Sequence, residues 1–357
     1  MSKVIYYMPR LLTPEYHNLR KLAGENTSII DRTNTFQFGF NVHIMSPIPT
    51  DISYVGDPQK QFEDVLIQRA KDYLDTGKTI YLFYSGGLDS TTVLLCFDQV
   101  FKEFPQYSRE QLVLATTVDS MYENLDAWWT VVMQYKIVNV HDVMNSIDTS
   151  KEEYYLMAEG ADQLFGSDKI FAFPELYEML TSGNVTISNL NILLDRYGIV
   201  DDREEFLFFM LESLSKAPFK ITLMREALWW FNFTLKWQSV SMRALCFSDV
   251  FKGGSHQIKI DDMKYFSTFF VCDEVQKVAM RQDFPRFGEV ATATTYKKAF
   301  INLIIKFQPT WLEYITNKMK MGSMYNVYKH RPFHTQIITI DDNLNYISSE
   351  TGNIFDI

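Results

Sequence analysis

The chain has 357 residues, 46% hydrophobic and 15% aromatic, which suffices for a large buried core and excludes a disordered adaptor. A net charge of −10 argues against nucleic acid as a partner, and no apolar run is long enough to span a membrane. Three scattered cysteines, Cys96, Cys246 and Cys272, exclude a four-cysteine zinc set; with no signal-peptide pattern after Met1, they lead to the expectation of a reduced, cytoplasmic protein.

Residues 1–58 read as a small N-terminal segment, with Val4–Tyr7 and Phe36–Val42 alternating as strands do. A helix is predicted over Gln61–Leu74, with Phe62, Val65, Leu66, Ala70, Tyr73 and Leu74 on one face and Asp75-Thr76-Gly77 ending it. The apolar run Thr79–Tyr84 predicts a buried strand. After the loop Ser85-Gly86-Gly87-Leu88-Asp89-Ser90, the residues Val93, Leu94, Phe97, Val100 and Phe101 share a helical face. A strand at Leu112–Val118, a helix at Asn124–Tyr135, and strands at Lys136–Val140 and Tyr154–Met157 follow. This alternation over residues 59–170 predicts an α/β fold with a doubly wound parallel sheet, which binds ligands at the carboxyl ends of its strands.

From 171 to 325 the pattern is mainly helical, with periodic stretches at 204–215, 222–237, 275–280 and 298–307 and surface loops at 252–262 and 285–295. The aromatic set Trp229, Trp230, Phe231, Phe233 and Trp237 suits either a substrate pocket or, at helical spacing, the core. In the tail, 326–357, the stretches Thr335–Ile340 and Asn345–Ile347 are strand-like and are expected to return to the N-terminal strands. His330 and His334 are four apart, but Pro332 between them prevents a helical metal pair.

A strand, a glycine-containing loop and a helix start together make an anion site. Glycines let the main chain approach phosphate, backbone N–H groups converge, and the helix dipole favours negative charge. Ser85 and Ser90 add hydroxyl donors, and Asp89 offers a hard oxygen ligand for the Mg²⁺ that accompanies nucleotide phosphates. The loop lacks the lysine of a Walker loop. A second carboxylate cluster, Glu159-Gly160-Ala161-Asp162, follows the strand at 154–157, where a parallel sheet can turn it toward the first loop.

SGGLDS after a strand resembles the PP-loop of the ATP pyrophosphatases, the adenine nucleotide alpha hydrolase-like fold. With Ala158-Glu159-Gly160-Ala161-Asp162-Gln163-Leu164-Phe165-Gly166-Ser167, it resembles the synthetase domain of asparagine synthetases and their relatives, the β-lactam synthetases and lasso-peptide cyclases. There the second motif commonly reads GEGADELFGG; Ala158, Gln163 and Ser167 depart from it, as does Asp168 where an aromatic residue often follows. A looser third match, Lys298 with Asn302, Pro309 and Lys318-Met319-Lys320-Met321-Gly322, resembles the family's K-x-x-x-R…P…R-x-K-x-G. Residues 269–280 are only distantly similar to the family's P-F-L-D stretch.

The resemblance implies an ATP-dependent, AMP-forming ligase that adenylates a small-molecule carboxylate and passes it to an amine or ammonia. Ser85, Gly86, Gly87 and Ser90 would cradle phosphates and the main chain of Phe83 would meet adenine. Asp89 and Asp162 would hold Mg²⁺, Lys298 would stabilise the α-phosphate, and Glu159 would orient or deprotonate the amine. Asp119, Ser120 and Glu123 are expected near the ribose. Ser2 stands where glutamine-using members carry a cysteine, and residues 1–58 are too few for their amidotransferase domain, so a separate amidotransferase or carrier is an expected partner. Another PP-loop chemistry, on a nucleobase or tRNA, and a nucleotide-binding protein without turnover remain the alternatives.

Overall fold

Apolar alternation at the chain ends and apolar runs in its middle fold into two sheets. The computed structural model describes residues 3–7, 19, 21–22, 29–36, 41–52, 55–147, 151–200, 202–247, 264–287, 297–312, 315, 322 and 337–349. Strand β1 (Lys3–Tyr7) pairs antiparallel with β7 (Ile337–Ile340), which pairs with β8 (Tyr346–Ser349), so the tail returns to the N-terminus. The other sheet is parallel throughout, in the order β4-β3-β2-β5-β6. Its members are β2 (Ile80–Phe83), β3 (Leu112–Thr116), β4 (Lys136–Asn139), β5 (Tyr154–Met157) and β6 (Phe266–Thr268). The inner strand β3 is buried at every residue, as expected where helices cover both faces.

Several helix starts are set by side-chain caps. Asp57 accepts from Lys60 N at 2.6 Å to open α1 (Pro58–Leu74), with proline at its first position. Helix α2 (Leu88–Glu103) follows β2. The strand expected to run to Val118 stops at Thr116 because Thr117 caps α3 (Val118–Glu123), accepting from Ser120 N at 3.2 Å. Likewise the helix expected over 124–135 is α4 (Leu125–Thr130), capped by Asn124, followed by a 3₁₀ turn at Val132–Gln134. Helices α5 (Val140–Asn145) and α6 (Ala161–Phe165) follow β4 and β5. The helical part comprises α7 (Tyr177–Ser182), α8 (Ile187–Arg196), α9 (Arg203–Ser215), α10 (Met224–Leu235) and α11 (Trp237–Phe247), then α12 (Asp273–Ala279) and α13 (Lys298–Phe307). No described helix is long and apolar enough to cross a membrane. Residues 37–40, 252–262 and 288–295, which carry an expected strand and two loops, lie outside the described residues, as do His330, His334, Thr335 and the Cys246 side chain.

Aromatic rings form the junction between the sheet layer and the helical part. Phe165 of α6 meets Phe300 of α13 edge-on at 4.8 Å and Phe62 of α1 at 5.1 Å, and Phe270 meets Phe300 at 5.2 Å. Trp229, Trp230, Phe231, Phe233 and Trp237 are all fully buried, so this set is core. The indoles are satisfied there: Trp229 Nε1 donates to Leu164 O, Trp230 Nε1 to Ser213 O and Trp237 Nε1 to Ser46 Oγ. Cys96 is a buried free thiol that burial keeps protonated.

The first 58 residues do not act as one unit. While β1 joins the tail, residues 29–36 insert beside α10, where Ile30 N donates to Leu235 O and Arg32 N to Thr234 O. The buried Arg32 guanidinium lies over Phe233 and Trp237 and donates to Ser46 O at 2.9 Å, Phe233 O at 3.1 Å and Gln276 Oε1. Burial pulls its pKa down to about 9, opposed by Asp273. Replacing Arg32 by alanine leaves these acceptors unpaired in the core. Arg32→Ala is expected to cost about 3 kcal/mol and lower the thermal midpoint by several degrees, with no rescue by lysine, which lacks the planar fork. Differential scanning calorimetry of both variants checks this.

Candidate active site

The sheet order creates the crevice. The chain leaves β2 for β3 and β4 on one side and returns to β5 on the other, so the connections after β2 and β5 diverge and open a gap at their carboxyl ends. The loop after β2 is tightly built. Gly86 has φ of +78°, and a Cβ there would lie 2.4 Å from Ser120 O, so only glycine fits. Gly87 opens α2, and among the described residues no side chain caps this helix, which leaves its N-terminal N–H groups facing the crevice. Ser85 Oγ and Ser90 Oγ lie 3.0 Å apart, and Gly87 N donates to Ser85 Oγ at 3.2 Å. The two hydroxyls are thereby held on the inside of the loop. Phe83 ends β2 with its ring buried against Phe266, so only its main chain reaches the rim.

The loop after β5 carries Glu159, which is partly buried, and Gly160, whose φ of +96° starts α6. Helix α6 has only five residues and is held from outside. Asn232 of α10 donates to Asp162 O at 2.9 Å and to Gly166 O at 2.7 Å, clamping both ends. This fixes Asp162 in the first turn, facing the β2 loop.

Between the two carboxylates lies a lysine. Lys297 Nζ donates to Asp89 Oδ1 at 2.7 Å and Oδ2 at 2.9 Å, and forms an ion pair with Asp162 Oδ1 at 2.6 Å. The residue one place on, Lys298, is exposed and does not join this group. Asn302 turns toward α1, donating to Gln59 Oε1 at 3.4 Å. The phase of α13 explains the difference. Ala299, Phe300, Leu303 and Ile304 are its buried face, which turns Lys298 outward and leaves Lys297, at the N-cap, over the N-terminus of α2. That apolar spacing was readable in the sequence and identifies Lys297. Asn232 gave no such signal, because its partners are main-chain carbonyls brought close only by folding.

Behind the β2 loop, Ser120 and Glu123 form the buried face of α3, and Glu123 Oε2 accepts from Gly322 N at 3.2 Å. These two residues brace the loop from the rear, and Gly322 is thereby tied to the site. Lys318 and Lys320 lie outside the described residues.

Asp89 and Asp162 thus bring hard oxygens from two strand ends to one point, next to an uncapped helix N-terminus. A bound ammonium is already a stand-in cation there, so the pair fits a divalent ion. Among the described residues no group of three or more His, Cys, Asp or Glu side chains gathers, so such an ion would need further oxygens from a ligand. No protein-family model matches this chain, and no curated protein matches it. Gly86→Ala should force the loop away from α3 and cost about 2 kcal/mol. Thermal melting of the variant against wild type measures the loss.

Proposed function

We propose that this chain is an ATP-dependent, AMP-forming synthetase of the asparagine synthetase-like kind, a cytoplasmic enzyme with a PP-loop-type fold. The observation that carries the reading is the meeting of Asp89, Asp162 and Lys297 at the β2–β5 switch point, over the N-terminus of α2. A nucleotide triphosphate supplies what the site lacks: negative charge for the helix end and lysine, and oxygens to complete a cation shell.

In this reading Ser85, Gly86, Gly87 and Ser90 bind the β and γ phosphates through main-chain N–H groups and the paired hydroxyls. The main chain of Phe83 lies against adenine. Asp89 and Asp162 would hold Mg²⁺, which would supply positive charge to offset that of the leaving pyrophosphate. A substrate carboxylate attacks the α-phosphorus, pyrophosphate leaves, and an acyl-adenylate forms. Lys297, rather than Lys298, stabilises the charge that develops there. Glu159, at the same strand end as Asp162, accepts a proton from the amine that displaces AMP. With Lys297 in the catalytic place, the family's following arginine position falls on Ile301, which is buried and apolar. The phosphate site therefore has one cation fewer than the pattern it resembles.

Turnover should yield AMP and pyrophosphate, followed with α-labelled ATP during a screen of carboxylates and amines. ADP and phosphate as sole products would falsify the assignment. Lys297→Ala is expected to slow adenylation by roughly 10²–10³-fold while nucleotide still binds. Lys298→Ala should stay near the wild-type rate, and Asp89→Asn should lose metal-dependent nucleotide binding and activity together. Pre-steady-state pyrophosphate release separates these three variants.

A further inference from the structure

We propose that Lys297 is a built-in substitute for a divalent cation: in the ligand-free protein its ammonium holds the Asp89 and Asp162 carboxylates together, and an incoming divalent ion must displace it. The proposal rests on the reading of Asp89 and Asp162 as the cation-holding pair, but not on turnover.

Asp89 Oδ1 and Oδ2 accept from Lys297 Nζ at 2.7 and 2.9 Å, and Asp162 Oδ1 lies 2.6 Å from it as an ion pair. With its charge held between two carboxylates, the ammonium cannot keep these contacts and also serve a phosphate oxygen. To reach a phosphate it must release a carboxylate, and a released carboxylate is a ligand for a hard cation. Metal binding and lysine release are therefore two halves of one exchange.

The surroundings favour such an exchange over a fixed structural salt bridge. The lysine side chain is 13% exposed, while Asp89 and Asp162 are 24% and 43% exposed, so solvent and ligands reach the acids more readily than the base. The groups facing the ammonium are Asp89 from α2 and Asp162 from α6; Lys298 is exposed and points away. With the ammonium gone, like charges face one another across the crevice, and a divalent ion relieves this better than a monovalent one. The backbone of Lys297 need not move, because α13 is anchored by Phe300 against Phe165 and Phe270. Only the flexible four-carbon stem has to swing. The lysine is thereby withheld from the phosphates until a metal arrives, which couples the two charges the chemistry needs.

The test uses the full chain without nucleotide and Mn²⁺ as the probe, with free Mn²⁺ read by electron paramagnetic resonance. Lys297→Met, which removes the charge and leaves an unbranched side chain one heavy atom shorter, should bind Mn²⁺ about tenfold or more tightly than wild type. Lys297→Met combined with Asp162→Asn should lose that gain. In metal-free buffer Lys297→Met should melt below wild type, and Mn²⁺ should raise its midpoint by more than it raises the wild-type midpoint. Equal Mn²⁺ affinity in Lys297→Met and wild type would overturn the proposal, as would a gain that survives the added Asp162→Asn. If Lys297→Met does not fold, Lys297→Gln carries the same expectations. None of these readouts needs turnover, so failure here leaves AMP formation standing. Conversely, a displaced lysine in a protein that makes no AMP overturns the functional reading alone.

Discussion

The edge-on contact between Phe165 and Phe300 is the constraint on which the candidate site depends. One ring follows the second carboxylate loop by three residues and the other follows Lys297 by three, so their 4.8 Å approach sets the spacing of Asp162 and the lysine. Phe62 packs on both rings from α1, and Phe270 packs on Phe300 just beyond β6. The charges at the crevice therefore converge because apolar rings beneath them do. Coulombic attraction between partly exposed groups is too weak and too easily screened to organise three separate helix starts by itself. Burial of four large rings is strong enough, and the ion pairs follow from it.

This division of labour governs what could be read in advance. The α/β layer was legible because each strand is an apolar run followed by a turn or cap, and β5 matches its expected bounds at Tyr154–Met157. Three-residue β6 was not legible, since Phe266-Ser267-Thr268 is too short for a period and Lys264 and Tyr265 precede it without a turn signal. Thr117 shortened the expected strand in this region because a polar side chain that accepts a backbone N–H competes with continuing the element. The loop residues Ser85 to Ser90, Glu159 and Asp162 lie at the strand ends where their motifs suggested. The lysine that meets the two carboxylates is Lys297, since the helix phase of α13 turns Lys298 outward and packing follows the phase.

Residues 29–36 show the limit from the other direction. Nothing in Ile29-Ile30-Asp31-Arg32 suggests a regular element, yet it ends buried against α10. Its polar groups are satisfied locally: Asp31 accepts from Thr33, Thr35 and Phe36 main-chain N–H groups, and Arg32 is enclosed by carbonyls and rings. A buried loop is tolerable only when each backbone and side-chain polar group finds such a partner. Asp31 finds its partners within five residues, but the carbonyls and rings that take up Ile30 and Arg32, from Phe233 to Trp237, lie about two hundred positions away, which no local pattern contains.

The same reasoning gives the crevice a direction. Of the three charged groups at its centre, Lys297 is the most enclosed and Asp162 the most open, with Asp89 between. Behind the lysine and Asp89 stand the serine-lined loop and then α3, whose Ser120 carbonyl excludes any side chain larger than glycine at position 86. The open side of the site is therefore the Asp162 side, where exposure is greatest. A polyanion arriving that way meets a carboxylate first, which repels it unless a cation already offsets the charge. On the proposed reading, this geometry would favour a metal-bound nucleotide over a free one before any contact with the loop is made.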